Sequence, residues 1–210
     1  MDFDESVEYL YSLGNEVEAM KLGLDNIRKL LAALDDPQNN YLKVQVAGTN
    51  GKGSVCAFLD SICVHAGIKT GLYTSPHLIS ITERIKIDGE EISADDFAKY
   101  VTRVRETTET EQLYATFFEQ MTAIALLAFA EKGVELAILE TGLGGRLDAT
   151  TAANAEIVAI TPIDYDHQQY LGNTLTAIAH EKAGILKKGV PAIIGVQPDE
   201  ARAEIERVAE

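Results

Sequence analysis

Apolar residues fall along this chain in two textures: loose runs at helical spacing, and short dense runs bounded by glycine, proline or charge. Leu22, Leu24, Ile27, Leu30, Leu31 and Leu34 recur at near-helical intervals. The first forty residues are therefore expected to be helical until Asp35-Asp36-Pro37 ends the run. The dense run YLKVQVA (41–47) predicts a strand leading into a glycine loop. Helix is expected from Ser54 to Ala66, with Val55, Phe58, Leu59 and Ile62 on one side and Gly67 closing it. KTGLYTS (69–75) predicts a second strand, and ERIKIDGEEI (83–92) a hairpin turning at Asp88-Gly89. Ser93 is suited to cap a helix running to about Glu109. The stretch from about Phe117 to Glu131 is apolar nearly all round and predicts a buried helix. VELAILE (134–140), EIVAIT (156–161) and PAIIGV (191–196) predict three more strands. A helix over 174–186 separates the last two, and DEARAEIERVAE predicts a polar helix.

Strands alternate with helices, and the strands read as apolar runs rather than as polar–apolar alternation. That is the pattern of a parallel sheet covered on both faces. The expected class is α/β, a mostly parallel sheet covered by helices. The sequence shows no internal repeat, low-complexity tract or linker, so residues 1–210 are expected to form one domain.

Composition narrows the function. Acidic residues number 33 against 18 basic ones, for a net charge of −15. A general nucleic-acid binder needs a basic footprint, so that class is disfavoured. Small-molecule chemistry with a bound cation fits better. Cys56 and Cys63 fall two turns apart on one predicted helix, too far to bond, which suits a reducing cytoplasm. The start, MDFDESVEYL, lacks the basic and apolar regions of a signal peptide, and no apolar run reaches membrane-spanning length.

Five stretches carry candidate chemistry. The first, GTNGKGS (48–54), follows a strand and opens a helix, as a phosphate-binding loop does, although its glycines are spaced differently from the general P-loop. Its backbone can turn several N–H groups toward one anion at a helix N-terminus, with Lys52 adding a point charge. The bland alternative is a tight turn beside an exposed lysine. The second stretch, TSPHL (74–78), puts the Ser75 oxygen at a strand end, though a Ser-Pro pair is usually just a turn. The third, LETGLGGRLDAT (139–150), ends a strand on Glu140. A carboxylate there suits hydrated Mg²⁺ beside phosphates and equally suits a solvated strand-end acid. The fourth, ITPIDYDHQQYLGNT (160–174), places Asp166 and His167 at the same sheet edge, where a lone histidine is more often structural than a ligand. The fifth, HEKAGIL (180–186), holds Lys182, by itself an ordinary helix lysine.

In this order the five stretches resemble the folylpolyglutamate synthase and dihydrofolate synthase family, a branch of the Mur ligase superfamily. The resemblance covers nearly the whole chain, from MKLGLDNI (20–27) through GTNGKGS, SPHL, ERIKIDGE, TFFE, ETGLGGRLDAT and DHQQYLG to EKAGI. It implies a P-loop-containing Mur-ligase-type ATPase domain over 1–210, N-terminal to a glutamate-ligase domain absent from this chain. ATP would be held by Gly48, Thr49, Asn50, Gly51, Lys52, Gly53 and Ser54. Ser75, Glu140 and His167 match the family's Mg²⁺ ligands. Lys182 matches a lysine that the family carbamylates, and with Lys52 forms the implied catalytic pair. Thr116, Phe117, Phe118 and Glu119, together with Leu147, Asp148 and Ala149, match pteroate-binding segments. Two positions depart: Asp148-Ala149-Thr150-Thr151 replaces the usual DATN, and Asp164-Tyr165 replaces a Gly-Leu pair before Asp-His.

The implied activity is ATP-dependent addition of L-glutamate to dihydropteroate, to folates, or to both, through an acyl phosphate. The implied partners are small molecules, with no nucleic acid or membrane, and the implied state is a cytoplasmic monomer. The fragment alone is expected to be inactive. Phe117 and Phe118 are suited to flank a flat pterin ring or to pack in the core. A non-catalytic nucleotide-binding module, or a Mur-type ligase acting on another acid, stays open. A GTPase would need a guanine-reading Asn-Lys-x-Asp, which is missing. A small-molecule kinase would share the loop but leave SPHL, ETGLGGRLDAT and EKAGI unexplained.

Overall fold

The structure, a computed structural model, describes residues 1–14 and 23–210. Leu22 and the start of MKLGLDNI lie outside the described residues. The predicted N-terminal helical region divides into α1 (Phe3–Ser12) and α2 (Asp25–Ala33), followed by a 3-10 turn at Pro37–Asn40. Asp2 and Glu5 cap α1 reciprocally, each side chain accepting the other's backbone N–H.

One sheet holds β1 (Leu42–Ala47), β2 (Thr70–Tyr73), β3 (Ile85–Ile87), β4 (Glu90–Glu91), β5 (Leu136–Glu140), β6 (Ile157–Ile160) and β7 (Ala192–Ile194). Their spatial order is β4-β3-β2-β5-β1-β6-β7. The five strands from β2 to β7 in that order pair in parallel, and the β3–β4 hairpin adds an antiparallel edge. The loops after β1, β2, β5 and β6 therefore emerge at one edge, where ligands of open α/β sheets gather.

The remaining helices are α3 (Lys52–His65), α4 (Ala94–Thr110), α5 (Phe117–Lys132), α6 (Gln168–Leu171), α7 (Leu175–Ala183) and α8 (Asp199–Ala209). Helix α5 is buried without interruption from Phe117 to Phe129, as its all-round apolarity predicts. With α1, α2 and α4 it builds the larger core on one sheet face. Helices α7 and α8 close a second core beside β6, and a third lies under α3, around Val44, Val46, Cys56, Leu72 and Ile138. Both cysteines are free and buried. Among the described residues no helix is long and apolar enough to cross a membrane.

Two expectations change. Of the four residues expected on one side of α3, Leu59 packs against the third core, whereas Val55, Phe58 and Ile62 face outward, with Phe58 70% and Ile62 65% exposed. Cys56, Asp60 and Cys63 face the sheet instead, and Asp60 accepts a hydrogen bond from Thr70 Oγ1. The glycine loop fixes how α3 leaves β1, and that geometry sets the helix rotation over its own apolar stripe. The second change concerns β1, which alternates after all: Lys43 and Gln45 are buried on one face and Val44 and Val46 on the other.

Candidate functional site

The glycine loop joins β1 to α3 and is braced from β6. Thr49 and Asn50 both donate their N–H groups to the Pro162 carbonyl at 3.1 Å, and Thr49 Oγ1 contacts the Asp164 backbone N and O, each at 3.1 Å. The amides of Thr49 and Asn50 are thus spent on shaping the loop. Lys52, Gly53 and Ser54 open α3 behind the left-handed Gly51, and a helix N-terminus of this kind is suited to an anion. Gly48 is extended into the positive-φ region at +137°, and a Cβ there would lie 1.9 Å from Thr161 Oγ1. Lys52 Nζ reaches back to the Thr49 carbonyl at 3.3 Å, which folds the cation over the loop.

Glu140, at the end of β5, points into the mouth of this loop. Its carboxylate accepts the Ser75 N–H at 3.2 Å. Burial raises its pKa, while the Ser75 N–H, the nearby Lys52 charge and the Gly53 N–H pull the other way. Ser75 follows β2 and precedes a cis peptide to Pro76. Ser75, Glu140 and the Lys52–Gly53 turn therefore meet directly. His167 lies across the loop after β6, in a left-handed conformation (φ 45°), with Nε2 3.5 Å from Asp166. No group of three or more His, Cys, Asp and Glu side chains stands together as a metal cage among the described residues. A buried carboxylate beside the Ser75 backbone and a glycine loop nevertheless suits Mg²⁺, which keeps several waters and takes few protein oxygens.

Lys182 is buried on α7 and donates from Nζ to the Gly48 carbonyl at 2.8 Å. Burial, reinforced by Lys52, pushes its pKa down to about 8. The helix is held against the segment after β5 by Arg146, whose N–H bonds the Glu181 carbonyl at 2.8 Å and whose guanidinium pairs with the Glu181 carboxylate. The resemblance singled out Lys182, but the helix spacing did not, since a helix lysine shows its burial only in the folded chain.

The two segments matched to an acid substrate have structural duties of their own. Thr116 and Glu119 cap α5 reciprocally. Phe117 is buried, stacks on Tyr11 at 6.1 Å with rings 5° apart, and lies under the Arg84 guanidinium. Phe118 packs beside Tyr73 and against Gly142, where a Cβ would come within 2.5 Å of its ring. Both phenylalanines thus belong to the core. Asp148 is buried and accepts from the Leu143 N–H at 2.8 Å and from the Thr150 N–H at 3.0 Å, and burial raises its pKa. Leu147 is part-exposed and Ala149 buried at the head of the 3-10 segment Ala149–Ala153.

A residue missed by sequence reasoning is His77, which ties Tyr11 to the β2 loop. Its Nδ1 accepts from Arg84 Nε at 2.8 Å, and its Nε2 lies 3.2 Å from the Tyr11 hydroxyl. Arginine only donates, so Nδ1 is unprotonated and the proton sits on Nε2.

The Mur ligase middle domain model matches residues 46–208. A probable dihydrofolate synthetase of Schizosaccharomyces pombe is 45% identical over 176 residues, 83% of this chain and 42% of that protein. The dihydrofolate synthase/folylpolyglutamate synthase of Bacillus subtilis is 42% identical over 196 residues, 91% of this chain and 46% of that protein. E. coli FolC in complex with DHPP and ADP superposes with a TM-score of 0.91 at 35% identity, over 100% of this chain and 49% of that one. The chain thus spans less than half the length of these two curated relatives. The glycine loop on β1, the strand-end glutamate and the family match over most of the sequence agree: the chain belongs to the Mur ligase middle-domain family.

Proposed function

We propose that this chain is the N-terminal, ATP-binding portion of an acid–amino-acid ligase that joins L-glutamate to dihydropteroate or a folate. The observation that carries it is the direct meeting of Glu140, Ser75, the Lys52–Gly53 turn and Lys182 around one loop. In the reaction, a carboxylate oxygen of the acid takes the γ-phosphoryl group of ATP, giving an acyl phosphate and ADP. The glutamate amine then attacks the acyl carbon, the C–N bond forms, phosphate leaves, and the amine proton passes to solvent.

Such a transfer is mostly positioning and charge stabilisation. Lys52 and the amides opening α3 bind and orient the phosphates. Glu140 and Ser75 would hold Mg²⁺, and His167, on the loop after β6, would be its third ligand. Bound there, Mg²⁺ neutralises charge on the phosphates. Lys182, neutral in part near pH 8, is suited to carry a carbamate: its amine nitrogen bonds the carbon of CO₂ and releases a proton. The resulting anion would offer two oxygens to the cation or its waters. Residues 116–119 and 147–149 would line the acid site. The glutamate site and closure over ATP would come from a C-terminal domain, in keeping with the share of the relatives left unmatched. We read the parent enzyme as a cytoplasmic monomer.

Calorimetric titration tests this reading. The chain should bind an ATP analogue with Mg²⁺ weakly, bind pteroate, and release no glutamate-dependent ADP. Lys52→Ala should abolish nucleotide binding with an unchanged fold. Nucleotide binding without any acid binding would instead favour a plain nucleotide-binding module.

A further inference from the structure

Gln45 lies in the middle of β1, fully buried, three residues before the glycine loop. It is paired in register with Leu139 of β5 and Val158 of β6. Parallel strands buried on both faces are ordinarily apolar, so a carboxamide here calls for a reason. Its Nε2 contacts three hydroxyls: Thr151 Oγ1 at 2.8 Å, Thr150 Oγ1 at 3.0 Å and Thr141 Oγ1 at 3.1 Å. Two of those hydroxyls have already committed their protons. Thr150 donates to Asp148 Oδ1 at 2.5 Å, and Thr151 donates to the Gly145 carbonyl at 2.7 Å. Each can only accept from Gln45. The amide orientation follows: nitrogen toward the threonines, oxygen away. That oxygen, Oε1, is buried without a hydrogen-bond partner among the described residues. Leaving a buried acceptor unmade costs stability, so an apolar side chain would serve the core better. The position is chosen for its donor.

The donor reaches a connected set. Thr150 holds Asp148, and Asp148 in turn takes the Leu143 and Thr150 N–H groups. Thr151 holds Gly145, and Thr141 directly follows Glu140. We infer that Gln45 is a positioning residue, a buried donor that fixes the 141–151 loop, and with it the acid-binding segment 147–149, to the strand that carries the phosphate loop. The claim about acid binding rests on the functional reading above; the claim about the loop does not.

Gln45→Glu is the sharpest probe. It keeps the shape and takes away both amide N–H donors, facing the Thr150 and Thr151 hydroxyls, whose protons are already committed to Asp148 and to the Gly145 carbonyl. Gln45→Met removes the donor without adding an acceptor. Amide hydrogen exchange of the chain reads the loop directly. In Gln45→Glu, exchange at Leu143, Thr150 and Thr151 should accelerate about tenfold or more, with α3 amides from Cys56 to Asp60 unchanged, since local opening is read segment by segment. Gln45→Met should fall between that variant and the parent. Pteroate affinity should drop about tenfold in Gln45→Glu while ATP-analogue affinity stays within about twofold, a split that general destabilisation would not produce. Unchanged exchange at 143–151, or acceleration spread evenly through the chain, would overturn the inference. Failure of the parent chain itself to bind pteroate would sink the acid-site reading, and exchange would still decide the role of Gln45.

Discussion

Lys182 Nζ donates to the carbonyl oxygen of Gly48 at 2.8 Å, tying α7 to the first residue of the glycine loop. The amine is buried, and its pKa is pushed down to about 8 from the ordinary 10.5. Between those values an unfolded lysine holds its proton and the folded one has released it, so this group adds stability as pH rises from about 8 toward 10.5. The same shift makes Lys182 a reactive amine. With labelled bicarbonate, carbon NMR should show a carbamate whose signal grows as pH rises through about 8 and is missing from Lys182→Arg. A signal indifferent to that substitution would place the carbamate elsewhere.

Gly48→Ala should unfold the loop rather than merely slow it. A Cβ at this positive-φ position would come 1.9 Å from Thr161 Oγ1 and 2.9 Å from the Thr161 carbonyl. Overpacking combined with backbone strain costs about 3 kcal/mol or more. Denaturant melting of the variant, compared with Gly189→Ala, checks it. Gly189 also has positive φ but meets nothing within 4 Å, so it should show the strain alone.

Glu140→Gln keeps an acceptor for the Ser75 and Gly53 amides while removing the charge. Nucleotide affinity without metal should change little or improve. Affinity in the presence of Mg²⁺ should fall about tenfold or more, the scale of one lost charge-assisted contact. A magnesium titration of analogue binding separates the two effects, and equal losses with and without metal would count against a cation held by Glu140.

Helix α8 should come loose in acid. Arg207 and His180 hold the Glu204 carboxyl down at about 2, below the ordinary 4.5, and His180 Nδ1 lies 2.9 Å from it across the α7–α8 contact. A depressed carboxyl contributes stability that is present above the ordinary value and lost as pH falls from about 4.5 toward 2. Exchange of α8 amides should therefore quicken in that window, and Glu204→Gln should show fast exchange already at neutral pH.

The strands and the order of the loops were legible because dense apolar runs ending in glycine or a lone acid have few other uses. The rotation of α3 was not, since Val55, Phe58, Leu59 and Ile62 share one side in sequence and only the turn at Gly51 decides which way that side points. Thr116, Glu119 and Asp148 were ambiguous for a different reason: a polar residue at a helix start looks the same whether it caps or binds. Gln45 was invisible, because its partners lie 105 and 106 positions away in sequence and meet it only across the finished sheet.

The buried alternation of β1 bears on how the chain avoids misfolding. A slip of one residue against β5 and β6 would carry Lys43 and Gln45 into the cluster of Cys56, Leu72 and Ile138, and would send Val44 and Val46 to the threonines. An all-valine strand would tolerate several alignments at nearly equal energy. Here a buried ammonium, bonded to the Gln38 and Tyr41 carbonyls, and a buried amide make every neighbouring alignment costly. The central strand thus works as a key with two teeth, and the chain reaches a single pairing because the others leave polar groups stranded.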